Sequence, residues 1–319
     1  MAVYKLLTPP DEEAEIYPYR PAWRSIVIES VVLFVVTAAV FFIFGVLRLQ
    51  LPGLLTLVAN GLLVALPVIL WLIFSVWSER AVPEPRQRLI TVFLVTALAA
   101  NALAVPFIED VIQPERWLPL GGAINRIIGY TFTLGIVQET AKYAVVRFTT
   151  WPQYFRTRLD SVAYCAASAV GYALVLNLRH LLSESSITPD VMAIQVFGNV
   201  TVNLAASLIV SYGMAEVHFD KPTPFLMTIT VALAAFVNGL VIPLRAGLTN
   251  ATFVLTSAGN GTPSIVDTIL SLFSLQSSAP KPFLGFAFSG VTLLGFGIIV
   301  AFLFSNAERQ AREAERRED

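Results

Sequence analysis

Eight runs of 18 or more predominantly apolar residues recur along this chain of 319, at 25–47, 54–77, 89–108, 122–146, 161–178, 191–216, 225–244 and 284–305. Each is close to the ~20 residues a helix needs to cross the hydrocarbon core of a bilayer. Backbone amides and carbonyls inside lipid have no water to bond, so a spanning segment must satisfy them itself or close into a barrel. The runs lack the period-two alternation of barrel strands, which leaves helices. Composition agrees: 56% of residues are apolar and only 13% charged, where a soluble domain carries about 25% charged residues. The fold class is therefore all-α, a polytopic membrane protein with about eight transmembrane helices. The lipid bilayer is its first partner. A net charge of −1 gives no footing for nucleic acid. Cys165 is the only cysteine, so an internal disulfide framework is excluded.

Orientation follows from the basic residues. One alternating set of segments, which includes both chain ends, holds 14 Lys and Arg; the other set holds 5, among them Arg179 and Arg245. The positive-inside rule places the richer set in the cytoplasm, giving N-in/C-in. The chain then divides into a cytoplasmic N-terminal segment at 1–24, a transmembrane domain at 25–305 with an outer loop at 245–283, and a charged cytoplasmic tail at 306–319. The first run lies too far behind Asp11, Glu12, Glu13 and Glu15 to read as a cleaved leader. In the outer loop, polar residues share one helical face of 263–275 and apolar residues the other, which reads as an interfacial helix capped by Thr262. A cell membrane of the bacterial cytoplasmic type is the expected location.

Function has to come from polar groups that hydrocarbon would exclude, because each costs enough to need a reason. The fourth run holds Gln138, Glu139 and Lys142. Residues three apart share a helical face, so Glu139 and Lys142 can pair and offset each other's desolvation. A structural ion pair and a catalytic or binding centre both fit this pattern. An isolated Glu139→Gln change is expected to cost little stability unless the carboxylate is committed to that pair. Asn177, Asn199, Asn203 and Asn238 lie in the next three runs. Interhelical hydrogen bonds alone explain single asparagines, whereas four of them in consecutive helices suggest a polar centre.

In order and spacing these residues resemble the PrsW-type intramembrane proteases. Gln138-Glu139-Thr140-Ala141-Lys142 is similar to the Glu-Glu-x-x-Lys motif of that family. Asp160 followed by Tyr164, then Gly171-Tyr172-Ala173 and Leu176-Asn177, resembles the next family helix. Asn203 and Asn238-Gly239-Leu240 stand where the resemblance places the two family histidines. A PrsW-like core at about 122–244 is implied. By resemblance Glu139, Lys142, Asn203 and Asn238 are the catalytic positions, and Gln138, Asp160, Asn177 and Asn199 are binding positions. The departures limit the chemistry, since a zinc centre needs several His, Glu or Asp ligands around one ion. One motif glutamate is Gln138, the glutamate before the asparagine is Leu176, and both histidines are asparagine. The remaining histidines, His180 and His218, fall at opposite membrane ends and cannot share an ion.

No cofactor is expected on these residues, with zinc admitted only under a metalloprotease-like reading. The favoured expectation is a PrsW-like membrane protein, a degenerate intramembrane protease homologue that binds or regulates membrane proteins such as single-span ones. The alternatives are an active divergent protease using Glu139 and a small-solute carrier. The spacing of Ala163, Ala167 and Gly171 every four residues is expected to let another helix approach closely. Reporter fusions after Arg88, Arg158 and the C-terminus should all report cytoplasm, and a fusion near Asn260 should report the opposite side. A same-side result for Asn260 and the C-terminus would remove the eighth span.

Overall fold

The computed structural model describes residues 19–80, 85–183, 187–219, 225–250 and 282–318. The interfacial helix expected at 263–275 lies outside these residues. Eight helical rods are present among the described residues. They are α1 (Tyr19–Val40, continued by Phe41–Val46), α2 (Gly53–Trp71, continued by Leu72–Trp77) and α3 (Leu89–Ala99, continued through Ala100–Ala104 and Phe107–Ile112). Then come α4 (Ala123–Tyr130, Thr131–Gly135 and Ile136–Thr149), α5 (Arg158–Ser183), α6 (Pro189–Phe219), α7 (Leu226–Thr249) and α8 (Pro282–Glu318). The chain is a multi-pass membrane protein. Seven rods are long and apolar enough to cross a membrane by length and composition. The exception is α4, continuous over its whole length but diluted by Arg126, Gln138, Glu139 and Lys142. Its polarity is what makes it the helix of interest.

Two rods form the centre. In α5 and α6, 83% of the most apolar window is buried, against 22% in α1 and α8. These two pack on each other more extensively than any other pair. The remaining six surround them in the order α1, α2, α3, α4, α7, α8. Stacking of Trp71 on Phe93, with ring centroids 5.0 Å apart, joins α2 to α3. The ring closes where Phe34 of α1 stacks on Phe286 of α8 at 4.8 Å. Apolar side chains on the outer faces, such as Phe132, Leu98 and Ile298, are exposed as lipid-facing residues should be.

Small residues set the closest approaches. A Cβ on Gly171 of α5 would lie 2.5 Å from the Phe93 carbonyl oxygen of α3, so the expected seam is occupied by α3. Beside it Thr96 Oγ1 donates to Ser168 Oγ at 3.0 Å. A second contact of this kind joins α4 to α7, where a Cβ on Gly135 would lie 2.3 Å from the Ala235 carbonyl oxygen and one on Gly239 would lie 2.0 Å from Thr131 Oγ1. Both contacts fall on the segment 131–135, where α4 widens into a π turn and the Ile136 amide bonds the Thr131 carbonyl. The extra residue in such a turn rotates the C-terminal half of the helix by about 100° relative to a regular one. That rotation carries Gln138, Glu139 and Lys142 off the register of 123–130, and all three are buried.

Replacing Gly135 or Gly171 with Ala should lower the unfolding temperature in detergent, because the facing atoms are backbone and overpacking costs about 1–3 kcal/mol. Gly61→Ala, where a Cβ meets nothing within 4 Å, should leave it unchanged or raise it. Equal effects at all three positions would show that these approaches do not hold the bundle together.

Candidate functional site

Glu139 lies one turn beyond the π turn of α4 and has no solvent exposure at all. A carboxylate at that depth requires a partner. Lys142 Nζ stands 2.7 Å from Glu139 Oε1, one turn along the same helix. The ammonium also donates to Asn203 Oδ1 of α6 at 3.0 Å and to the Asn203 carbonyl at 3.4 Å. An ammonium has three donors, and these contacts use all of them. From α7, Asn238 Nδ2 donates to Glu139 Oε1 at 2.5 Å. The pair is electrically neutral and joins α4, α6 and α7. The α5 side is closed by Tyr172, whose ring centroid lies 5.8 Å from Lys142 Nζ. Glu139 Oε2 is the exception, buried with no hydrogen-bond partner.

The polar network continues along α6 toward its N-terminus. Asn203 Nδ2 donates to the Asn199 carbonyl at 2.9 Å, and Asn199 Nδ2 donates to Asn177 Oδ1 of α5 at 2.7 Å. Gln138, Asn199, Asn203 and Asn238 line a cavity of about 970 Å³. It runs from this floor to the ends of the rods near Glu109, Arg179 and His180. Its walls are apolar side chains such as Leu134, Val202 and Val241. At the mouth, Arg179 pairs with Glu109. Its Nε donates to Asn101 Oδ1 at 3.4 Å. Glu139 is set behind Asn238 and Asn203.

Of the eight candidate residues, the structure brings seven into one network or onto its cavity. Asp160 is placed elsewhere. It opens α5, 17 residues before Asn177 on the same helix, which corresponds to about 25 Å. Its Oδ2 accepts the Arg156 and Thr157 amides at 2.7 Å each, and its Oδ1 accepts Arg86 Nε at 2.7 Å. Arg86 pairs in turn with Glu79. Asp160 therefore caps α5 and ties it to the segment before α3. Its motif position says nothing about depth in the bundle, which is why order alone grouped it with the others. His218 lies near Phe155, its Nε2 3.2 Å from that carbonyl, at the opposite end of the bundle from His180.

Arg245 was missed as a site residue. The charge distribution assigned it to an outer loop, whereas it is the last basic residue of α7 and lines the cavity. Its spacing of seven from Asn238 puts the two on one helical face, and that signal was present in the sequence. A zinc ion, implied by the resemblance, does not fit the residues present. Zinc takes imidazole, thiolate and carboxylate ligands. Here one carboxylate is flanked by two carboxamides and an ammonium 2.7 Å away. Among the described residues no three of His, Cys, Asp and Glu converge on one point.

Residues 84–216 match the model of the PrsW family intramembrane metalloproteases. The match begins before α3, earlier than the core read from the motifs, and so includes Arg86 and the helix that fills the α5 seam. It stops short of α7, so the correspondence at Asn238 rests on its position in the chain and on its bond to Glu139. No curated protein and no solved structure matches the chain.

Since the carboxylate is committed to Lys142, Glu139→Gln should leave a buried ammonium without its counter-charge and cost about 3–5 kcal/mol. Adding Lys142→Met should restore most of the loss, because removing both charges of a buried pair is often nearly neutral. Unfolding in detergent measures both, and a single mutant as stable as wild type would mean that the pair contributes nothing to the fold.

Proposed function

We propose, from the match of residues 84–216 to the PrsW family model, that the protein is a non-hydrolytic relative of that family that binds membrane-protein segments in the cavity above Glu139. The bond from Lys142 Nζ to Asn203 Oδ1 carries this reading. Hydrolysis of a peptide needs a general base open to water and a group that stabilises the developing oxyanion. Here the ammonium and the carboxylate neutralise each other. The side chains at the two family histidine positions are engaged in holding that pair. Gln138 instead offers its carboxamide to the cavity, and Asn199 and Asn238 offer their side-chain oxygens. A carboxamide both donates and accepts, as a peptide unit does, so such a lining suits an unfolded segment of polypeptide. The partner class is single-span membrane proteins, and the location a bacterial cytoplasmic membrane.

A second reading, cleavage by Glu139, is favoured by one observation: Oε2 is buried without a partner and is therefore an open proton acceptor. Co-reconstitution with single-span membrane proteins separates the two. A photo-crosslinker at Val202 or Val241, both on the cavity wall, should capture the partner with no fragments released. Fragments that disappear in the Glu139→Gln protein would establish the protease instead.

A further inference from the structure

Arg245 extends from α7 across the cavity wall into a slot built for it. A Cβ on Gly198 of α6 would lie 2.1 Å from Arg245 Nη1, and one on Gly285 of α8 would lie 3.0 Å from its Cγ. Gly198 thus leaves room for the guanidinium against α6, and Gly285 leaves room for the aliphatic stem of Arg245 and for Thr249 Oγ1, which a Cβ there would approach to 2.7 Å. Among the described residues it has no ion-pair partner: Glu109 is held by Arg179 and Glu139 by Lys142. A guanidinium within a membrane domain is costly without a counter-charge. An arginine facing a cavity under these conditions is an anion receptor in form, since its planar fork matches a carboxylate with two parallel hydrogen bonds.

The groups beyond it select the anion. Arg245 stands two turns from Asn238 on one face of α7, about 10 Å along the axis. Between them the wall of α6 presents Asn199 and Asn203, with Gln138 at the floor. Asn203 uses both its polar atoms within the network, but the Gln138 carboxamide and the Asn199 and Asn238 side-chain oxygens are not used there, so a ligand anchored at Arg245 and running inward meets one carboxamide and two further acceptors. An acyl chain would leave them unsatisfied, whereas a peptide would pair with them. About three extended residues at ~3.3 Å each cover the distance. The cavity is at the upper end of the ~300–1,000 Å³ typical of ligand sites.

We propose that Arg245, in its slot between Gly198 and Gly285, receives the C-terminal carboxylate of a bound peptide whose last residues lie along the carboxamide wall. This rests on the peptide-binding reading of the cavity and names the end of the chain that it takes. The test uses the full-length protein in nanodiscs of phosphatidylcholine and an N-terminally fluorescent Ala/Leu hexapeptide, as the free acid and as its C-terminal amide. The acid should bind at least about tenfold more tightly, the scale of one charge-assisted hydrogen bond. Arg245→Met should bring the acid down to the amide's affinity, with Arg245→Lys between the two. Equal binding of acid and amide by the wild type, or a preference that survives Arg245→Met, overturns the assignment while leaving peptide binding intact. If neither peptide binds, the peptide-binding reading fails with it. Loss of acid binding when phosphatidylglycerol replaces phosphatidylcholine makes Arg245 a lipid-phosphate site and also overturns it. Should Arg245→Met fail to fold, the acid-to-amide ratio of the wild type decides alone.

Discussion

A carboxylate with no solvent exposure inside a membrane domain has to be neutralised where it stands, and much of this bundle is arranged around doing so for Glu139. Lys142 supplies the charge from the next turn of the same helix. Intrahelical pairing alone would leave two donors of the ammonium unsatisfied, and α6 provides both acceptors through Asn203. From the other side α7 adds the Asn238 donor. To present both side chains inward, α4 must be rotated and pressed closely against α7. The π turn at 131–135 and the contacts at Gly135 and Gly239 accomplish this. Backbone geometry, small-residue packing and buried electrostatics are therefore one constraint seen at three levels.

The central position of α5 and α6 has the same origin. Residues that hydrocarbon would reject are collected on faces that only other helices touch, while α1 and α8 turn apolar side chains outward. Polar groups then separate by end. Where α5 begins, Asp160, Arg86 and Glu79 satisfy one another and close the bundle. Where α5 ends, the rods diverge around a cavity, and Arg245 on its wall has no such partner among the described residues. A bundle sealed at one end by matched charges and open at the other with an unmatched one is asymmetric in its chemistry.

Much of this was legible in the sequence, for specific reasons. The all-helical, multi-pass architecture follows from run length, because bilayer thickness is a ruler that few other environments impose; of the eight runs, seven are rods long and apolar enough to cross a membrane among the described residues, and the fourth is the polar α4. The convergence of Glu139, Lys142, Asn203 and Asn238 was legible because burial cost makes in-span polar residues informative one by one. Asp160 stands apart from them: motif order records neighbours along the chain, and a residue at a helix start can be a full membrane thickness away from one at its end. The place of Arg245 on the cavity wall was hidden for the opposite reason, since a basic residue near a run boundary reads as a topology signal before it reads as part of a helix face. The π turn at 131–135 has no pattern in residue type that announces it. The role of Gly198 was equally invisible, because a glycine that makes room for a side chain on another helix looks like any other.

The substitution of asparagine at two positions where the resemblance expects histidine changes what the same geometry can do. An imidazole and a carboxamide both hydrogen-bond, so either can cross-link helices at 203 and 238. Only the imidazole is a good zinc ligand, and a divalent ion would bring the positive charge that a buried carboxylate requires. With carboxamides there, the positive charge beside Glu139 is that of Lys142, the lysine of the motif itself. Once the ammonium has taken Glu139 Oε1, a metal ion at the same oxygen would face a cation 2.7 Å away, a repulsion that a low-dielectric interior magnifies. The network is thus a self-consistent alternative to a metal centre. Through it Glu139 and Lys142 together join three helices beside a cavity.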